Sequence, residues 1–214
     1  ADNFATAVTT ISSGTPANPR GDDKIVGMVA INGANQVSQQ GRAGCVLKNI
    51  LYYAADNYVV YPTASHTQPT IRAFDGTVDR HLCKIPYNPD VGVTTNAKAV
   101  LFMLAVGDLI YLSTFDGGTT NADFRGRVFS LDPNTGVLIP QGATFTTGYL
   151  PYCMTFYQNR LWVGSTQNTL GATGKVYWFR PGIDTTWTLD HTTTASKGDI
   201  TAISSYHGEL YIST

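Results

Sequence analysis

One five-residue word recurs three times at nearly constant spacing. It reads Ile110-Tyr111-Leu112-Ser113-Thr114, then Leu161-Trp162-Val163-Gly164-Ser165, then Leu210-Tyr211-Ile212-Ser213-Thr214. Each copy is an aliphatic, an aromatic, an aliphatic and two small residues, and the steps between copies are 51 and 49 residues. A weaker copy, Leu51-Tyr52-Tyr53-Ala54-Ala55, lies 59 residues before the first. An interval of about 50 residues is that of a propeller blade rather than of a single hairpin. Successive side chains of a strand point to opposite faces, so a word apolar on both requires burial from two sides.

A second word keeps the same period: Gly126-Arg127-Val128-Phe129-Ser130-Leu131 and Gly174-Lys175-Val176-Tyr177-Trp178-Phe179, with Ile71-Arg72-Ala73-Phe74 as a weaker copy. Each runs into a turn signal, Asp132-Pro133-Asn134-Thr135-Gly136, Arg180-Pro181-Gly182 and Asp75-Gly76 respectively. Proline presets the turn dihedral and glycine takes the positive φ, so these are hairpins. Before each pentad comes an apolar run closed by a short polar turn (Gly107-Asp108, Gln158-Asn159, His207-Gly208), and after each hairpin comes a fourth, poorer strand. The unit is thus four consecutive antiparallel strands.

The expected fold is all-β: a β-propeller of four-stranded antiparallel blades, with two generic β-sandwiches as the alternative. Blades are expected at 43–96, 97–148 and 149–198, with part of a fourth at 199–214. That makes about three and a half blades where propellers typically have four to eight, so the ring is expected to be incomplete and completed by more chain or by another chain. Residues 1–24, rich in Gly, Pro and Ser, read as an arm or linker, and Lys24 to Ile31 as a further strand. Tyr111, Trp162, Tyr211, Val128 and Val176 are the expected structural core of the repeat.

Composition narrows the partners. Of 214 residues 43% are hydrophobic, enough for a substantial core, while only 14% are charged and the net charge is -1. No Lys/Arg block offers an electrostatic footprint for nucleic acid, and no run approaches the roughly 18 apolar residues of a membrane span. Neither nucleic acid nor membrane insertion is expected. Cys45, Cys83 and Cys153 fit no zinc spacing and read as small buried hydrophobes, with a Cys45–Cys83 bridge as the alternative.

A meander alternates its connections between the two ends of the propeller. The turns between first and second and between third and fourth strands are tight, whereas the connections on the other face are long, and long loops on a rigid scaffold are where recognition usually sits. On that face Asp116, Asn121, Asp123, Arg125 and His191 are the candidate binding residues. Asp116, Asn121 and Asp123 could chelate a hard cation through oxygen, but Asp116-Gly117-Gly118 is also a plain turn, and no metal or cofactor is expected. The order Ser113-Thr114-Phe115-Asp116-Gly117-Gly118-Thr119 lacks the Trp of a sialidase Asp-box. No nucleophile elbow or phosphate loop occurs, and His66, His81, His191 and His207 share no spacing. No catalytic constellation is visible, and alanine at Asp116, Asp123 or His191 is expected to change stability by no more than about 0.5 kcal/mol.

The words Leu161-Trp162-Val163-Gly164-Ser165, Gly126-Arg127-Val128-Phe129-Ser130-Leu131-Asp132-Pro133 and Thr70-Ile71-Arg72-Ala73-Phe74-Asp75-Gly76 resemble kelch-like β-propellers, in particular propeller-type structural proteins of tailed bacteriophage virions. The resemblance covers about residues 43 to 214. It implies a noncatalytic virion module for assembly or host-surface attachment, located in the virion, with other virion proteins, further copies of itself or a host surface glycan as partners. The alternative is an extracellular bacterial propeller that acts as a lectin or a glycan-acting hydrolase.

Overall fold

The computed structural model describes residues 43–55, 69–86, 88, 97–116, 125–145, 148–167, 173–194 and 198–214, and the backbone of two short strands, β1 (Gln36–Val37) and β4 (Val59–Val60), which pair with each other. The arm at 1–24 and the strand expected from Lys24 to Ile31 lie outside the described residues. All other regular structure is antiparallel sheet in strict sequence order. The first sheet is β2 (Gly44–Leu47), β3 (Ile50–Ala55), β5 (Thr70–Phe74) and β6 (Asp79–Lys84). The second is β7 (Ala97–Val106), β8 (Leu109–Asp116), β9 (Arg125–Leu131) and β10 (Leu138–Pro140). The third is β11 (Tyr149–Tyr157), β12 (Arg160–Gln167), β13 (Lys175–Phe179) and β14 (Thr188–Thr192), and a hairpin, β15 (Ala202–Tyr206) with β16 (Glu209–Ser213), follows. The first strands of successive sheets, β2, β7, β11 and β15, lie against one another and form the inner side of the arc. No helix occurs among the described residues, and this is a β-propeller architecture of meander blades.

Turn chemistry sets the blade. Between first and second strands, Lys48-Asn49, Gln158-Asn159 and His207-Gly208 hold positive φ at both central positions, the mirror-image turn whose twist matches a hairpin. Gly107-Asp108 has positive φ at the glycine alone, the other favoured two-residue form. Between third and fourth strands Asp75 accepts the amides of Thr77 and Val78 at 2.9 and 2.8 Å, and Asp132 accepts that of Asn134 at 2.9 Å and the Thr135 hydroxyl at 3.0 Å. Those bonds hold both carboxyls below their ordinary pKa. In the third blade Asp184 reaches back instead, to the Arg180 amide at 2.8 Å and its guanidinium at 2.7 Å.

Period-two alternation places each blade between two neighbours. Ile110, Leu112, Phe129 and Leu131 join Tyr52, Ala54, Ile71 and Ala73 of the first sheet in one cluster. The opposite face of the second sheet, with Tyr111 and Val128, meets Met154, Leu161 and Val163 of the third. The far face of the third, with Trp162 and Val176, meets Ile200, Ile203 and Leu210. Tyr111 and Trp162 are 4% and 7% exposed.

Tyr211 departs from the expected core. It is 49% exposed, because β15 and β16 turn Ile203 and Leu210 toward the third sheet and Tyr211 away from it, onto a face that no described element covers. The cysteines are all free, Cys153 buried and Cys45 and Cys83 half-buried against the first cluster.

The glycine opening the second word has a steric reason. A Cβ on Gly126 would lie 2.0 Å from Pro151 Cδ, and one on Gly174 would lie 2.5 Å from the Ile200 backbone nitrogen. Both residues met belong to the next repeat, so the third strand enters its sheet where the following blade leaves no room for a side chain. Pro151 sits at a bulge of an inner strand, between Pro151 and Cys153, where a residue without an amide hydrogen is tolerated. The last small residue of the pentad ties the two words together: Ser165 Oγ donates to Lys175 O at 3.0 Å, and at the same position Thr114 Oγ1 accepts the Arg127 amide at 3.3 Å.

Candidate functional site

The two ends of the arc differ. One carries the two-residue turns between first and second strands and the connections 75–78, 132–137 and 180–187 between third and fourth strands. At the other, β8 ends at Asp116, β9 begins at Arg125, and the links from blade to blade pass through Pro86, Asn88, Gln141 to Phe145, Thr193, Thr194 and Gly198 to Ile200.

Asp116 is drawn into the structure rather than presented on a loop. It is the last residue of β8 and wholly buried. Arg127 Nε donates to Oδ2 at 2.6 Å and Nη2 to Oδ1 at 3.4 Å, while Asn88 Nδ2 donates to Oδ2 at 2.7 Å. Arg127 also donates to Pro86 O at 2.7 Å and lies 4.8 Å over the Phe129 ring. Period-two geometry accounts for the pairing: Asp116 stands opposite Arg125 in the β8–β9 ladder and Arg127 opposite Thr114, so Asp116 and Arg127 are diagonal neighbours on one face. A buried carboxylate so engaged is no surface ligand, and the expectation that Asp116 is an open loop residue is corrected. Its network fastens the exit of the first blade to the second.

Arg125 begins β9 half-buried, and its Nε is buried with no hydrogen-bond partner among the described residues. His191 is exposed on the outermost strand of the third sheet, opposite Val176 on β13. Asn121 and Asp123 lie outside the described residues. Of the described candidates Asp116 and Arg125 are cross-strand neighbours while His191 stands on the outer strand of another sheet, and among the described residues no group of three or more His, Cys, Asp or Glu is gathered as a metal ion would require.

Sequence reasoning missed an aromatic and cationic stretch at the same end. Lys175, the counterpart of Arg127 in the repeat, places Nζ 4.0 Å from the centre of the Tyr149 ring. Burial raises the Tyr177 hydroxyl pKa, and the ammonium of Lys175 acts against that rise. Phe145 meets Tyr177 edge-on at 5.2 Å, and on its other side, toward the turn end of the blade, it meets Trp187 at 5.1 Å, whose Nε1 donates to Gln141 O at 3.1 Å. The available signal was the pair Arg127 and Lys175, two cations at one repeat position.

Carboxylates sort by topology. The described first strands contain no Asp or Glu, so any acid near the axis at the long-connection end comes from a connection. Asp199, in the link leading to β15, is half-buried there, and Asp56, Asp90 and Asp123 lie outside the described residues.

The sequence matches no family model and no curated protein. By structure the chain is similar to an exo-beta-1,3-galactanase from Phanerochaete chrysosporium in complex with beta-1,3-galactotriose (6% identity, TM-score 0.49, 76% of this chain and 38% of that one). It is similar to a GH43_1 enzyme from Xanthomonas citri complexed with xylotriose (10% identity, TM-score 0.48, 97% and 71%) and to an endo-arabinase from Bacteroides thetaiotaomicron (12% identity, TM-score 0.45, 78% and 60%). The chain spans less than two thirds of the galactanase and of the arabinase. At such identities a likeness speaks to fold and not to activity. These three neighbours are nonetheless glycan-acting enzymes, where the sequence reading expected a noncatalytic virion module without enzymatic activity. That expectation is corrected; the resemblance holds at the coarser level of a β-propeller, and its kelch-like and phage details gain no support from these neighbours.

Proposed function

We propose that this chain forms part of an extracellular β-propeller that binds and hydrolyses a carbohydrate polymer at the end of the arc where the long connections gather. The observation that carries the reading is the asymmetry of the two ends. Every turn between first and second strands is a two-residue hairpin, whereas the opposite end combines long connections, a half-buried Asp199 in the link to an inner strand, and the Tyr149, Lys175 and Tyr177 group. Long connections on a rigid scaffold are where recognition sits, and polar groups at the same end fix orientation. Glycoside hydrolysis needs two carboxyl groups, about 5 to 9.5 Å apart according to whether configuration is retained or inverted. Since the described inner strands offer none, Asp199 supplies one, and Asp56, Asp90 or Asp123 the other. Asp116 is excluded from that role because both its oxygens are already bonded.

The test is to incubate the folded protein with arabinan, xylan and beta-1,3-galactan, following reducing-sugar release and polysaccharide binding by affinity electrophoresis. Release from at least one polymer is expected, with Asp199→Asn lowering turnover by about 100-fold or more while binding persists. Neither binding nor release across the panel would overturn the reading.

A further inference from the structure

We propose that the polymer bound at the long-connection end is an acidic polysaccharide, whose uronate carboxylates are met by Arg125 and Lys175. The inference rests on the carbohydrate reading above and narrows its substrate class. It starts from equivalent places in two sheets. Arg127 and Lys175 share one repeat position, each standing opposite the last small residue of its pentad, Thr114 and Ser165 respectively. Beside Arg127 the pentad strand ends on Asp116, whose carboxylate meets the guanidinium at 2.6 Å. The residue that corresponds to Asp116 in the third sheet is Gln167, which carries no charge. Lys175 thus keeps the cation of the repeat without its carboxylate. The ammonium lies over the Tyr149 ring instead, 4.0 Å from its centre, and forms no ion pair among the described residues.

Arg125 is a second cation of this kind. It stands opposite Asp116 in the β8–β9 ladder, but both oxygens of that carboxylate are bonded to Arg127 and one of them also to Asn88. Arg125 forms no ion pair among the described residues, and its Nε is buried with no acceptor among them. A guanidinium nitrogen buried without an acceptor is costly, and a carboxylate oxygen satisfies it. Arg125 shares a face with Asp116 and Arg127, where the first sheet's exit crosses to the second, while Lys175 shares a face with Tyr177, which packs between the second and third sheets. The two cations therefore mark successive blade junctions at one end of the arc. A polymer laid across that end passes both, and carboxylates repeated along a chain of sugars suit two separate cations better than a single charged group does. Arginine takes a carboxylate through two parallel N–H···O bonds, and lysine adds a compact point charge.

The test compares polymers that differ in charge alone. Polygalacturonate and glucuronoxylan, each beside a form whose carboxyls have been reduced to alcohols, are titrated calorimetrically into the full chain. At least one acidic polymer is expected to bind about 10-fold or more tightly than its reduced form, and added salt should narrow the ratio. Arg125→Gln and Lys175→Gln should each lower that ratio, and the double variant should bring it to parity with unchanged circular dichroism, whereas Lys175→Arg should keep it. Equal affinity for the acidic and reduced polymers, or a preference that survives in the double variant, would overturn this inference and leave the carbohydrate reading intact. No binding to any acidic, reduced or neutral polymer would overturn both.

Discussion

The Asp116 carboxylate receives the Arg127 guanidinium at 2.6 Å in a site where the aspartate is wholly buried and the arginine side chain is 9% exposed. Removing one partner strands a buried charge. Asp116→Ala is therefore expected to cost about 3 to 5 kcal/mol, whereas exchanging both residues for apolar side chains of similar volume should cost much less. Urea unfolding of the two variants checks this; a loss under about 0.5 kcal/mol for Asp116→Ala, as a surface residue would give, would refute it.

Gly126→Ala adds a methyl where Pro151 already stands, and overpacking of this kind costs about 1 to 3 kcal/mol. Gly76→Asn is the contrasting variant. Gly76 has φ of 96° with nothing within 4 Å of an added Cβ, so asparagine there meets backbone strain alone, with a cost of about 1 kcal/mol. Midpoints of thermal unfolding for the pair should separate accordingly.

Trp162 is held between the third sheet and Ile200, and Trp162→Ala should destabilise by about 3 to 5 kcal/mol. Ile183, 69% exposed in the turn after β13, should tolerate alanine within about 0.5 kcal/mol. Equal losses in denaturant titrations would contradict the two-sided burial of the blades.

Much of this architecture was legible in the sequence, because burial on both faces writes apolar residues at every position of a strand and each blade repeats the demand. Val128 and Val176 could be assigned to the core from the period alone. Asp116 could not, since its partners lie 11 residues later at Arg127 and 28 earlier at Asn88, and the glycines that follow it read locally as a turn. Tyr211 misled for the opposite reason: the pentad specifies a residue meant for burial, but whether a neighbour covers it is decided outside the word. The site stayed faint because connections have no period to read.

Alkaline pH should destabilise the protein. Burial raises the Cys153 thiol from an ordinary 9.0 to about 12 and those of Cys45 and Cys83 to about 11, and burial with a hydrogen bond to Asp79 raises Tyr53 from 10.0 to about 12. Folding binds these protons more tightly than the unfolded chain does. Their contribution is complete below about pH 9 and is lost as pH rises toward 12. Melting temperature should fall over that window, and thiol labelling at neutral pH should be slow until denaturant is added. Labelling of native Cys153 at the rate of the unfolded chain would contradict its burial.

The contact of Gly126 with Pro151, and of Gly174 with Ile200, bears also on how the chain reaches its native state. Each joins residues only about 25 positions apart, and the clusters between sheets link only successive repeats. No contact described here requires the ends of the chain to find each other first, so loop-closure entropy is met in small instalments. Order can then spread from one blade to the next, as in other quasi-linear repeat arrays. Damage spreads by the same route: a variant that loosens the third sheet should expose β15 and β16 to hydrogen exchange well before the Tyr52 and Ile71 region is affected.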